Sequence, residues 1–112
     1  MQCSLSRQQA VDIAMSMFDT AFFKALQEPA RIAILRRLLL IGRADIALIA
    51  QGLPQERSVI SRHLRVLEEA GILKATKEGR HRYFEVNGQV VLRQLQAMTS
   101  QVALVMHDCC PG

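Results

Sequence analysis

The stretch "SVISRHLRVLEEAGILKATKEGRHRYFEV", residues 58–86, changes its apolar period from that of a helix to that of a strand at Gly71. The apolar positions before this glycine, spaced to share one helix face, are Ile60, Leu64 and Leu67. After it, alternation with a period of two around "EG" predicts a hairpin with strands over residues 73–77 and 82–86. A helix followed at once by a hairpin is typical of a winged helix-turn-helix.

The sequence before residue 58 predicts helices. Apolar residues recur at helical spacing over residues 6–26, where Asp19 and Thr20 offer a break in the middle. A second helix is predicted to begin near Pro29, which a first helical turn tolerates, and to end at Gly42. Its predicted buried stripe is Ile32, Leu35 and Leu39.

Three more helices complete the prediction. Asp45 is expected to cap a short helix, "DIALIAQ", and a longer one follows from residue 55 or 56 to Ala70. After the hairpin, Asn87 is expected to cap a last helix over residues 88–107, whose stripe leaves apolar surface for a partner. That stripe is Val91, Leu95, Met98, Val102 and Val105. We therefore predict a mainly α (α+β) winged helix-turn-helix, with about five helices and a two-stranded wing, as one domain over residues 1–112.

The net charge is concentrated in the same region. The chain has a formal net charge of +4, and residues 57–82 alone hold seven basic and three acidic side chains, which also gives +4. Five of those seven are arginine, the residue suited to forked contacts with phosphate and guanine. This balance predicts a surface that binds a polyanion, and double-stranded DNA is the partner that a winged helix fits.

Side chains opposite the apolar face of the fourth helix are the candidates for reading DNA, within a reading segment of residues 45–86. Ser58, Ser61 and Arg62 are expected to enter the major groove, while His63 either faces DNA or flanks the core.

Further basic residues are expected to hold the DNA backbone. Arg57 and Arg65 flank the predicted groove contacts. The wing contributes Lys77, Arg80 and Arg82, placed over neighbouring phosphates or the minor groove.

Other classes of protein fit less well. The start, "MQCSLSRQQAV", lacks the apolar stretch of a signal peptide, and the longest strongly apolar run, residues 38–41, is far shorter than a membrane span. We therefore expect a cytoplasmic protein without a membrane partner. No phosphate-binding glycine loop or carboxylate pair suggests an enzyme, although a DNA-binding protein without an effector and a protein-binding adaptor stay open.

The chain resembles the ArsR/SmtB family of bacterial metalloregulatory repressors over roughly residues 22–86. The resemblance rests on "FKALQEPARIAIL", "SVISRHLRVLEEAGIL" and "KEGRHRYFEV", which occur in that order. It implies a homodimer formed through the first and last helices. It also implies an operator of twofold symmetry that is released when an effector binds.

The metal-binding cysteines of many family members have no counterpart here. Where the family shows a pattern such as "ELCVCDL", this chain reads "RADIALI", with Asp45 and Ala47 at the cysteine positions. The last helix offers only His107 and Asp108 at its end, so the spread aspartate and histidine pattern of other members is also missing.

The three cysteines, Cys3, Cys109 and Cys110, are then the candidate effector ligands. Soft thiolates select soft ions, and trivalent arsenic takes up to three sulfurs, so we expect arsenite, a methylated arsenical or antimonite as regulatory ligand and no permanent cofactor. The alternative is a repressor that senses oxidants or reactive sulfur through the same thiols. Cys3 is either a third ligand or incidental.

Overall fold

Polar caps and glycines divide the chain into the helices and strands of this computed structural model, which describes residues 5–106. The elements are α1 (Arg7–Met15), a 3-10 helix (Ser16–Asp19), α2 (Ala21–Ala25), α3 (Pro29–Ile41), β1 (Ala44–Asp45), α4 (Ile46–Ala50), α5 (Arg57–Glu69), β2 (Leu73–Glu78), β3 (His81–Val86) and α6 (Gly88–Met106). The winged helix-turn-helix prediction is confirmed, with α4 and α5 as its two helices and β2 and β3 as its wing.

The predicted break in the first helical segment is confirmed. The Ser6 side chain and Gln9 form a capping box at the start of α1, and the 3-10 helix ends this first helical segment. Thr20 then adopts an extended conformation, and its hydroxyl accepts a hydrogen bond from the Phe23 backbone N–H at 3.1 Å. Because this cap starts a new helix, the described chain has six α-helices rather than about five.

The predicted buried stripe of α3 is wrong at two of its three positions. Ile32 and Leu39 are 46% and 69% exposed, whereas Ile34 and Leu38 are buried at 1% each. The segment "IAILRRLLLI" is apolar on most sides of the helix, so packing against α5 and not the sequence period determines the buried face.

An arginine of α3 fixes α4 in place. The Arg37 guanidinium donates hydrogen bonds to the backbone carbonyls of Leu48 at 2.8 Å and Ile49 at 3.1 Å. These carbonyls lie in the last turn of α4, where intrahelical donors run out and a positive charge is favourable. Gly52 leaves the room for this side chain, because a Cβ there would lie 2.5 Å from Arg37 Nε.

Replacing Gly52 with alanine should therefore destabilise the fold. The new methyl group displaces the Arg37 guanidinium from the two carbonyls, and the loss of these charge-assisted bonds should lower the free energy of unfolding by about 1–2 kcal/mol. Urea unfolding followed by circular dichroism measures it. Gly88→Ala is the matched control, because a Cβ at Gly88 has nothing within 4 Å. Equal stability of the two variants would contradict this role of Arg37.

The wing is part of a larger sheet than the sequence predicts. Gly71 at φ 78° turns the chain from α5 into β2, and Gly79 at φ 62° occupies the first position of a two-residue loop. That loop is Gly79–Arg80, one residue later than the expected "EG". The sheet order is β1-β3-β2, all antiparallel, with Ala44 opposite Phe84 and Asp45 opposite Tyr83.

The core lies between α3, α5 and the sheet, and the terminal helices form a separate pair. The largest fully buried side chains of the core are Ile34, Leu38, Ile49, Ile60, Leu64, Leu67 and Ile72. α6 packs chiefly on α1, and the molecule measures 56 × 23 × 20 Å. Within residues 5–106, no helix combines the length and apolar character needed to cross a bilayer.

Candidate nucleic-acid interface

The burial of α5 determines which side chains it presents to solvent. Ile60, Leu64 and Leu67 are 0–2% exposed, which confirms the predicted apolar face. The helix is therefore fixed to the core along one side. The exposed residues on its other side include Arg57, Ser58, Ser61, Arg62 and Arg65.

Of the seven basic residues between residues 57 and 82, most are not paired with a nearby carboxylate. Lys74 lies 3.8 Å from Glu85, and Arg82 pairs with Glu68. The other five cations form no salt bridge within residues 5–106, and all are exposed. They are Arg57, Arg62, Arg65, Lys77 and Arg80. This is a surface of unpaired positive charge, as polyanion binding requires.

The helix and the wing share one surface. A cleft of about 350 Å³ between them is lined by Arg57 and Ser61 of α5 and by Arg80 and Arg82 of the wing. A neighbouring cleft of about 490 Å³ adds Arg65 beside Arg82. The structure therefore brings four predicted cations of the two elements together, whereas Arg62 and Lys77 line neither cleft.

Two ion pairs and one histidine–carboxylate contact join the wing to the rest of the domain. On α5, Glu68 Oε2 accepts a hydrogen bond from Arg82 Nη2 at 2.5 Å. At the other edge, Arg43 lies 3.0 Å from Glu78 and His81 lies 3.3 Å from Asp45.

These contacts cannot be predicted from the sequence, because β1 is too short to show an alternating pattern and the pairs depend on its register. Arg82, predicted as a wing contact, is already engaged with α5. Each exposed pair contributes little by itself, but together they orient the hairpin.

The start of α5 leaves backbone donors unused. Glu56 occupies the N-cap position without a side-chain hydrogen bond to the first turn, whereas Ser6, Thr20 and Asp45 cap their helices. The first N–H groups of a helix lacking such a cap are suited to a phosphate oxygen.

His63 lies apart from the exposed face of α5. Its side chain is half-buried, and its Nδ1 is 3.4 Å from Nη1 of Arg31 at the start of α3. Of the two alternatives left by the sequence, the contact with the body of the domain is the one seen here.

The predicted effector ligands cannot be placed, since Cys3, Cys109, Cys110 and His107 all lie outside the described residues. Within residues 5–106, no group of three or more His, Cys, Asp or Glu side chains could hold a metal ion. Asp45, at the position of a family cysteine, instead caps α4 by accepting a hydrogen bond from the Leu48 backbone N–H at 3.0 Å.

The fold and the cationic face define a winged helix-turn-helix DNA-binding protein. A family model described as "Bacterial regulatory protein, arsR family" matches residues 28–75, which include α3, α4 and α5. The chain belongs to this ArsR family, and it is therefore a transcriptional regulator and not an enzyme.

Three similar proteins illustrate the relationship. An uncharacterized HTH-type transcriptional regulator from Methanocaldococcus jannaschii is 38% identical over 64 residues, which cover 57% of this chain and 72% of that protein. The crystal structure of a "possible transcriptional regulator for arsenical resistance" is 38% identical with a TM-score of 0.60, covering 70% of this chain and 80% of that chain. A homodimeric winged helix-turn-helix domain from Mycobacterium bovis is 28% identical with a TM-score of 0.58, covering 92% and 90%.

Proposed function

We propose that this protein is a homodimeric repressor that binds an operator through α5 and the wing and releases it when a thiophilic effector binds the terminal cysteines. The observation that carries DNA binding is the joint surface of α5 and the wing. Its five unpaired cations are exposed on α5 and the wing, and Arg57 begins α5, whose N-terminus has no side-chain cap.

The exposed side chains divide into two roles. Ser58, Ser61 and Arg62 project from the solvent side of α5, which is the side that a major groove would receive. The flanking cations bind phosphates on either side and carry no sequence information themselves. They are Arg57 and Arg65 from α5 and Lys77 and Arg80 from the wing, while Arg82, paired with Glu68, orients the wing.

Replacing Arg62 with alanine tests the DNA contact. A duplex selected from a randomised pool by the wild-type protein serves as the operator. If Arg62 contacts a base, its loss should weaken binding by about 1–3 kcal/mol in a fluorescence-anisotropy titration. Lys74→Ala is the matched control, because it removes the same charge from an exposed cation that is paired with Glu85. Equal affinities of the two variants would remove Arg62 from the interface.

The dimer is proposed to form through α6. An exposed apolar stripe runs along this helix at alternating spacings of three and four residues, which is the pattern of a helix–helix seam. The stripe consists of Leu92, Leu95, Thr99, Val102 and Met106. Its four apolar members are 43–76% exposed. Of the predicted stripe, Leu95 and Val102 lie here, while Val91, Met98 and Val105 are half-buried. The homodimeric relative from Mycobacterium bovis supports this assembly.

The effector proposal is supported by the direction of the terminal helices. Val11 of α1 shares an apolar cavity of about 260 Å³ with Val105 and Met106, whereas Met17 reaches back to Leu95. The two helices are thus antiparallel, and α1 begins where α6 ends. Cys3 precedes α1 in sequence, and Cys109 and Cys110 follow α6. A relative described as a regulator for arsenical resistance supports a trivalent arsenical as the ligand.

A further inference from the structure

Arg31, in the first turn of α3, joins three helices. Its Nε donates a hydrogen bond to the Ala25 carbonyl at 2.6 Å, and its Nη2 donates to the Lys24 carbonyl at 3.3 Å. Both carbonyls belong to the last turn of α2, and that of Lys24 also accepts a hydrogen bond from the Gln27 backbone N–H at 3.2 Å. The remaining arm of the guanidinium, Nη1, lies 3.4 Å from His63 Nδ1 on α5.

The chemistry of this contact defines the state of the imidazole. A guanidinium has five N–H donors and no acceptor, so His63 Nδ1 must accept. The contact therefore requires the neutral ring with its hydrogen on Nε2, because a protonated ring would direct an N–H at the guanidinium. Since His63 is half-buried and next to the buried Leu64, this contact restrains the rotation of α5 about its own axis.

The α2 helix, which Arg31 also contacts, is packed towards the terminal helices. α2 is anchored by Phe22, which is 2% exposed, and Phe23 packs edge-to-face on Phe18 of the 3-10 helix with ring centroids 4.8 Å apart. Phe18 in turn lines a cavity with Val102 and Met106 of α6. The end of α2, which Arg31 holds, is thus packed through two side chains onto the proposed dimer seam.

We propose that Arg31 and His63 are positioning residues that set the orientation of α5 relative to the terminal helices, so that affinity for a specific operator depends on their contact. This inference rests on the proposed DNA-binding function. It assigns neither residue a contact with DNA, and it gives His63 a different role from that of Ser61 and Arg62.

A double-mutant cycle of Arg31→Lys and His63→Leu tests the proposal. Lysine at position 31 keeps the positive charge but lacks the planar guanidinium that reaches three acceptors at once. Leucine at position 63 removes the Nδ1 acceptor and leaves the α2 carbonyls bonded to Arg31. Each variant should bind the selected duplex about tenfold more weakly. The double variant should be no weaker than Arg31→Lys alone, and binding to a random duplex should be unchanged. Thermal unfolding of His63→Leu verifies that its fold is intact.

Additive losses in the cycle would overturn the proposal, since they would indicate that His63 contacts DNA directly. Equal losses on selected and random duplexes would overturn it as well. An independent readout uses the free wild-type protein, in which the ¹⁵N chemical shift of His63 Nδ1 should be that of a hydrogen-bonded acceptor and should change in Arg31→Lys. If the wild-type protein binds no duplex, the proposed function fails, whereas an unchanged Nδ1 chemical shift in Arg31→Lys overturns the positioning contact alone.

Discussion

Replacing Cys109 and Cys110 together with serine is expected to leave operator binding intact and to abolish its release by arsenite. Serine preserves the size of each side chain but offers no thiolate, so a soft trivalent ion loses its ligands while the cationic face is untouched. In the wild-type protein, bound effector should weaken operator affinity by about 5- to 150-fold, the usual range of allosteric coupling. Anisotropy titrations of the selected duplex, with and without arsenite, measure both quantities.

Cys3→Ser and a panel of thiophilic ligands complete this experiment. If Cys3 is a third ligand, its loss should weaken the response to arsenite more than the response to a monomethylated arsenical, which needs only two sulfurs. Full release of the double cysteine variant by arsenite would show that the terminal thiols are not the sensor. Release of the wild-type protein by peroxide or a persulfide donor, with no response to arsenite, would instead support the thiol-redox alternative.

The part of the fold that the sequence predicts best is the part with a strongly amphipathic pattern. In α5, the buried Ile60, Leu64 and Leu67 are separated by charged and polar residues except for Val66, so one face is clearly the apolar one. Glycines at φ 78° and 62° then mark the entry to the wing and its loop. By contrast, Leu38 and Leu39 of α3 are equally apolar, and only packing distinguishes the buried one from the exposed one.

The candidate site was predicted as a set of residues but not as an arrangement. Residue type and helical period identify Arg57, Ser61 and Arg62, because a helix fixes which side chains share a face. The contacts of Arg82 with Glu68 and of His81 with Asp45 depend on how the wing docks against α5 and β1, which local sequence does not encode. The same holds for His63, whose partner Arg31 is 32 residues away in the chain.

The proposed dimer seam makes the second strong prediction. Val102→Glu places a charge at the centre of the exposed α6 stripe, where it would have to be buried without a partner between two protomers. Val102 is 43% exposed within one chain but also lines the cavity against α1, so circular dichroism of the variant verifies that the monomer keeps its fold. The variant should therefore sediment as a monomer in analytical ultracentrifugation at concentrations where the wild-type protein is a dimer.

Operator affinity should also fall when the Val102→Glu variant no longer dimerises. Two recognition helices joined in one assembly bind the second half-site as an intramolecular step, so losing this link should weaken binding by about 100-fold or more. Ser100→Glu is the matched control, because it adds the same charge to an exposed position on another side of α6 and should leave both assembly and affinity unchanged. A Val102→Glu protein that remains dimeric would locate the seam elsewhere. A monomeric variant with full affinity would show that a single recognition helix and wing suffice, which would remove the physical basis for control of DNA binding through the terminal helices.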